Sequence, residues 1–327
     1  MLRWAIIGSG DVVNRLVQKS FEKKGISTVD YIFSKDIKTS KILKRKYSYG
    51  QVAKNITQIL NDKKINSVYI ATPPDSHLYF INIFSKNVKN ILCEKPLALS
   101  SAEIKKIKKI IYKNNNNFFI PFYRRPQKRF QYIKNLISKG SLGQPVFFRY
   151  IMTHNLDDHP TAPIGYKNKK YFIPWRFRKK NSGGGNYIDM GPHALDLVQF
   201  LLGKISKISV ENSNLKKIYD VEETTCANIV LENKIIGQAI WSSIVDKKKD
   251  LFEIYFTNGR LKFSLNFTNK LVIEKNNKKK IIFIKLEKPY HKLFIDNMIN
   301  RILKNKNYIE KEGIEISLLQ ANSLKPN

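Results

Sequence analysis

The sequence predicts an α/β protein of two domains: a doubly wound parallel sheet over residues 1–122, then an α+β domain with a large, mostly antiparallel open sheet over 123–327. Three observations carry that expectation. As far as Phe122, short apolar runs alternate with amphipathic helical stretches, the pattern of βαβ units. Beyond it, alternating segments succeed one another with few long helices between them, the pattern of antiparallel strands. The length of 327 residues exceeds the roughly 250–300 at which a single core stops growing.

In the first domain, Leu2 to Ile7, Thr28 to Phe33, Ser67 to Ala71, Asn90 to Cys93 and Phe118 to Phe122 read as strands. In the second, Gln127 to Ser138 is helical and stops at Lys139-Gly140, which suits a glycine cap, and Pro145 to Met152 is strand-like. A helical pattern follows Gly183-Gly184-Gly185 and ends at Leu202-Gly203. Alternation at 205–211, 224–231, 235–243, 251–257, 260–265, 270–275 and 280–286 predicts further strands, and 290–304 and 311–324 close the chain as helices. The basic runs Lys247-Lys248-Lys249 and Lys278-Lys279-Lys280 fall between alternating segments, where hairpin tips are expected.

With 42% hydrophobic and 26% charged residues the composition is that of a globular protein. The charge is abnormal: 59 Lys+Arg against 26 Asp+Glu leave +33. Alone, that points to nucleic acid or an anionic membrane. The basic residues are, however, 48 Lys and 11 Arg scattered through nearly every segment, among abundant Ile and Asn such as Asn114 to Asn117. Nucleic-acid readers concentrate charge on one face and favour Arg for bidentate contacts. Diffuse lysine fits a coding bias toward A/T-rich codons that decorates solvated faces, so no nucleic-acid partner is expected. No apolar stretch approaches the ~20 residues that span a bilayer. Cys93 and Cys226 cannot form a disulfide framework, and the N-terminal run ends at Gly8 with no signal-peptide pattern. A cytoplasmic protein without a membrane partner is expected.

Gly8-Ser9-Gly10-Asp11-Val12-Val13 follows the first strand and opens a helical pattern. Gly8 permits the tight turn, and Gly10 lets backbone approach a pyrophosphate held at the helix N-terminus. Val13 stands where the fingerprint has its third glycine. The second strand ends in Ser34-Lys35 rather than the carboxylate that binds an NAD ribose; a hydroxyl beside a cation suits a 2′-phosphate, so NADP is favoured over NAD, with Asp36 two residues on. Cys93-Glu94-Lys95-Pro96 follows an apolar strand, where the ligand crevice of a parallel sheet lies, and Lys95 there can bind a reacting hydroxyl. Asp189 and His193, at i and i+4, share a helix face if Pro192 leaves that helix intact. His193 can be a structural histidine satisfied by Asp189 or Asp196, or, beside a nucleotide domain, an acid–base group.

Taken together, the Gly8-to-Val13 turn, Ala71-Thr72-Pro73-Pro74-Asp75-Ser76-His77, Cys93-Glu94-Lys95-Pro96-Leu97-Ala98, Tyr123-Arg124-Arg125, Gly140 to Gly143, Trp175-Arg176 and Gly183 to Asp196 resemble the Gfo/Idh/MocA oxidoreductases, over about residues 2–320. The resemblance implies a Rossmann domain and an α+β domain whose open sheet forms homodimers or homotetramers. It implies that Lys95 positions the substrate hydroxyl and assists proton transfer, Asp189 orients substrate hydroxyls and His193 is the general base. Gly8, Ser9, Gly10, Asp11, Val12, Ser34 and Lys35 are expected to bind the cofactor. Thr72, Pro73 and His77 match a loop along it, and Glu94 the position that helps fix its ribose. Tyr171 and Arg176 are added as substrate contacts, no metal site is expected, and the substrate is a sugar, sugar derivative or cyclitol. The rivals are the same fold reducing an imine, diol or tetrapyrrole, a sensor that has lost catalysis, and a basic binding module.

Overall fold

The structure, a computed structural model, describes residues 1–155, 175–304 and 307–324. It divides into two compact units, one of Met1–Tyr123 with Glu287–Ser317, the other of Arg124–Leu286 with Leu318–Asn327.

The first unit runs β1 (Leu2–Ile7), β2 (Ser27–Phe33), α1 (Ile37–Tyr47), β3 (Gln51–Val52), α2 (Ile56–Asn61), β4 (Ser67–Ile70), α3 (His77–Phe84), β5 (Asn90–Cys93), α4 (Ser101–Lys113) and β6 (Asn117–Phe119). Every strand pair is parallel, in the order β3-β2-β1-β4-β5-β6. This is the doubly wound order whose direction reverses beside β1, so the crevice outside the β1 and β4 ends is where a ligand binds. β4 and β5 are buried at every residue, as strands covered on both faces must be. Helix starts are set by side chains: Asp36 accepts the N–H groups of Lys38 and Thr39, and Ser100 accepts that of Glu103 while Glu103 accepts that of Leu99. β3 has two residues, too few for an alternating pattern to betray it.

A helix at Lys292–Leu303 inserts Ile295, Met298, Ile299 and Ile302 into the cluster of Trp4, Val17, Phe21, Tyr69 and Leu92. The expectation that everything beyond 122 lies in the second domain therefore does not match the contacts: 287–317 belongs with the first unit, because its apolar stripe completes that core.

The second unit contains α5 (Lys128–Ser138), β7 (Pro145–Asn155), a 3₁₀ turn (Trp175–Phe177), α6 (Lys179–Ser182), α7 (Asn186–Leu202) and β8 (Ile205–Ser213). The strands β9 (Thr224–Leu231), β10 (Ile236–Ser242), β11 (Ile244–Phe256), β12 (Gly259–Phe263), β13 (Lys270–Lys275) and β14 (Lys278–Phe283) follow; after them the chain returns to the first unit with α8 (Lys292–Leu303) and the start of α9 (Lys311–Ser323). The sheet order is β14-β13-β12-β11-β7-β10-β9-β8, antiparallel except for β10 on β7. Its core face carries Tyr150, Trp241, Phe252 and Phe263, and Tyr187 of α7 packs on Trp241 with ring centroids 5.1 Å apart. Neither lysine run is a hairpin tip. Lys247 to Lys249 lies inside β11, where a bulge against β7 absorbs the residues and all three side chains stay exposed. Lys278 to Lys280 begins β14, the turn being Asn276-Asn277, both at positive φ.

Candidate active site

In the first unit the glycine turn stands where β1 parts from its neighbours. Gly8 N–H donates to the Phe33 carbonyl, and Ala71 N–H to that of Ile7, both at 2.7 Å. Gly8 has φ +104°, and a Cβ there would come within 2.6 Å of the Ala71 carbonyl oxygen, so only glycine fits. A Cβ on Gly10 would meet nothing within 4 Å, so no neighbour in the chain requires glycine there, which fits a position kept small for close approach of a pyrophosphate. Ser9 is buried and its hydroxyl meets that of Thr39 on α1. Asp11 pairs with Arg15 one turn on, and Val12 packs on the core. Val13 is fully buried and opens a widened π-type turn, Val13–Val17, closed by Gln18 N–H on the Val13 carbonyl.

At the end of β2, Ser34 is half-buried and Lys35 exposed. The Asp36 carboxylate is taken by the α1 N–H groups of Lys38 and Thr39. Beyond β4, Ser76 donates to Thr72 Oγ1 at 2.7 Å and lies 2.9 Å from the Pro73 carbonyl, which rounds that loop. His77 has no exposed surface; Nε2 is 2.8 Å from the Thr72 carbonyl oxygen and Nδ1 3.2 Å from that of Leu97. Burial lowers its pKa, opposed by those carbonyls. At the end of β5, buried Glu94 accepts the Tyr69 hydroxyl at 2.6 Å, and His291 Nδ1 is 3.8 Å away. Lys95 follows, half-buried. Burial pushes the Tyr69 hydroxyl well up, so it remains a donor to that carboxylate.

In the second unit the site residues gather at the N-terminal half of α7. The helix runs unbroken through Pro192, which forgoes one N–H, so Asp189 and His193 keep their i, i+4 relation. Arg176 pairs with Asp189 at 3.3 Å, its guanidinium lying over the Trp175 ring, and each side chain is about one-sixth exposed. His193 is buried. Asp196 accepts a hydrogen bond from Arg125 Nε at 2.8 Å, and the ion pair brings Nη2 to 2.6 Å of the same oxygen. Asn186 Nδ2 and His154 Nε2 meet at 2.8 Å beside this turn. Tyr171 lies outside the described residues.

Sequence reasoning missed Glu222. A Cβ on Gly184 would come within 3.0 Å of both Glu222 carboxylate oxygens, and one on Gly185 would strike the Glu222 carbonyl. The run of glycines before α7 is thus dictated by a segment crossing over it. Burial raises the Glu222 carboxyl, against the Gly185 N–H and nearby Lys179. Among the described residues no cluster of His, Cys, Asp and Glu could hold a metal ion, and no helix is long and apolar enough to cross a membrane.

Comparison with known proteins places both units. Residues 2–122 match the model of the oxidoreductase family with an NAD-binding Rossmann fold, and residues 130–262 that of the GFO/IDH/MocA C-terminal domain. Oxidoreductase P35 of Formosa agariphila is 24% identical over 275 residues, 84% of this chain and 83% of that protein. Inositol 2-dehydrogenase of Rhizobium meliloti is 26% identical over 200 residues, 60% of this chain and 55% of that one. Levoglucosan dehydrogenase in complex with NADH and L-sorbose superposes with a TM-score of 0.81 at 18% identity, over 98% of this chain and 95% of the other. A parallel sheet whose glycine turn fits a dinucleotide, followed by a mostly antiparallel sheet under the Gly-Gly-Gly helix, accounts for both matched models, and the chain belongs to the GFO/IDH/MocA family of NAD(P)-binding oxidoreductases.

Proposed function

We propose that the protein interconverts a secondary hydroxyl and a ketone on a sugar, sugar derivative or cyclitol, with NADP as the preferred cofactor. The observation that carries this reading is the Gly8-to-Gly10 turn at the point where strand order reverses, with Lys95 closing a strand of the same sheet. Gly8, Ser9, Gly10, Asp11 and Val12 hold the pyrophosphate, Thr72, Pro73, Glu94 and Lys95 the nicotinamide half, and Ser34 with Lys35 a 2′-phosphate. Support for NADP comes from Asp36, whose carboxylate is committed to capping α1 rather than to a ribose. The bound nicotinamide supplies hydride transfer. Oxidation breaks one C–H and one O–H bond as the carbonyl forms. The family resemblance gives Lys95 the role of hydrogen-bonding a substrate hydroxyl and steadying charge that develops on it, His193 that of accepting a hydroxyl proton, and Asp189, held by Arg176, that of orienting hydroxyls. The reading includes a homodimer or homotetramer in a reducing, cytoplasmic setting.

A screen of sugars, nucleotide sugars and inositols for NADP- or NAD-linked change in nicotinamide absorbance tests the activity; turnover of imines or diols alone would remove the carbohydrate assignment. Lys95→Ala and His193→Ala should each lower kcat about 10²–10⁴-fold while NADPH fluorescence titrations stay near wild type. Wild-type turnover in both would end their catalytic assignment. Ser34→Asp should shift the kcat/KM ratio toward NAD by charge repulsion of the 2′-phosphate, and an unchanged ratio refutes the cofactor preference.

A further inference from the structure

His77 was expected to lie along the cofactor, and its surroundings point to a different task. A histidine that lines a ligand keeps a ring nitrogen for it, whereas here the ring has no exposed surface and both nitrogens are aimed at backbone carbonyls. The two carbonyls lie on different loops: Thr72 follows β4, and Leu97 follows β5 two residues beyond Lys95. The Pro96 carbonyl acts on the same ring, and so does the Asp75 carboxylate.

The position in the sheet makes this contact consequential. β4 and β5 pair in register from Ser67 with Asn90 to Ile70 with Cys93, and among the described residues the last backbone bond between them is Glu94 N–H to the Ile70 carbonyl at 2.9 Å. Past that point no backbone bond between the described residues joins Thr72-Pro73 to Lys95-Pro96, so side chains are left to set their spacing. The imidazole is rigid and carries nitrogens on two edges, so it can touch both loops at once, one through its single N–H and the other by packing, as a side-chain rung beyond the ladder. A neutral ring carries one proton: on Nδ1 it donates to the Leu97 carbonyl across on the Lys95 loop, while the Nε2 edge lies against the Thr72 carbonyl. On the near side of Lys95, the Tyr69 hydroxyl on β4 holds the Glu94 carboxylate. Lys95 therefore sits between two points at which β4 and its following turn grip the β5 loop.

We propose that His77 is a positioning residue that couples the loop after β4 to the Lys95 loop, setting their spacing without touching the ligand. Its consequence for catalysis rests on the cofactor assignment made above; the coupling itself does not.

Hydrogen–deuterium exchange of the full-length, cofactor-free chain tests the coupling directly. In His77→Asn and His77→Ala, amides in both 72–76 and 95–99 should exchange about tenfold faster, equal to ~1.4 kcal/mol of opening, while β1 is unchanged. His77→Gln, which can still reach one carbonyl, should fall between. The same variants should bind NADPH about tenfold more weakly and lose kcat together with affinity. Acceleration confined to α3, or absent from either loop, overturns the coupling. If the wild type binds no nicotinamide cofactor, the functional assignment fails while the exchange data still decide the coupling. Should the variants not melt cooperatively, deuterium exchange at His77 C2 in the wild type decides it: an enclosed ring exchanges many-fold slower than in the urea-unfolded chain, and equal rates refute the bridge.

Discussion

At the level of single residues, what the sequence discloses depends on whether the cause of a residue is local. Gly8 could be read directly, because the turn that needs its positive φ follows the strand that precedes it. Gly184 and Gly185 were legible as a turn but not as a necessity, since Glu222, which forbids a Cβ at either, lies far along the chain and has no pattern around it. The same distance hides the electrostatics. Burial raises the Glu222 carboxyl in the folded protein above the 4.5 of a free side chain, so the folded state binds its proton more tightly than the unfolded chain. By linkage this carboxylate costs stability in full above its folded pKa, and the cost fades as pH falls through that pKa and is gone below 4.5, where both states become protonated. Glu222→Gln should therefore raise Tm at pH near 8 and lose that advantage near pH 4, as measured by differential scanning fluorimetry. A lower Tm in the variant at the higher pH would mean that the charge stabilises the α7 terminus more than burial penalises it.

At the level of elements, periodicity located most strands and helices to within a few residues, β3 and the first half of β11 excepted, but said little of what they pack against. Alternation marked all the strands of the second sheet, and α7 was legible through Pro192 because its apolar spacing continues on both sides. β11 extends back through Lys247 to Lys249 because strand pairing is a backbone property that a bulge preserves even when three exposed lysines break the alternation. The stripe Ile295, Met298, Ile299 and Ile302 likewise announced a helix, but nothing local says which core receives it. Its membership in the first unit has a mechanical consequence. A fragment ending at Tyr123 would leave Trp4, Phe21 and Tyr69 without those four side chains, at about 1.5–3 kcal/mol per buried aliphatic residue. That sum is comparable to the whole stability of a small domain. The fragment 1–123 should be insoluble or lack a cooperative urea transition, whereas 1–123 joined by a flexible linker to 287–317 should fold. Cooperative unfolding of the short fragment would show that the returning helix is dispensable.

Across the whole molecule, a charge of +33 spread along the chain is expected to act on stability and encounter. Exposed lysines occur on separate elements of both units: Lys105, Lys106, Lys108 and Lys109 on α4, Lys247 to Lys249 on β11, and Lys278 to Lys280 on β14. Acids are engaged locally, as where Lys262 and Arg260 hold the Glu274 carboxyl below its ordinary range. With 59 basic against 26 acidic groups, most cations must repel one another at low salt, across distances that a Debye length of ~10 Å at 0.1 M largely screens. Raising NaCl from ~0.02 to ~0.5 M should therefore raise Tm, with the gain concentrated in the first ~0.1 M where screening changes fastest. Dispersed charge also predicts that duplex DNA binds weakly and without saturation at a defined site, whereas a concentrated basic face would bind tightly with a steep salt slope and lose stability as salt displaced its partner. Calorimetric scans across the salt series, with and without a short duplex, separate the two. A Tm that falls or stays flat with salt in the protein alone, together with tight saturable duplex binding, would return the charge to a functional role.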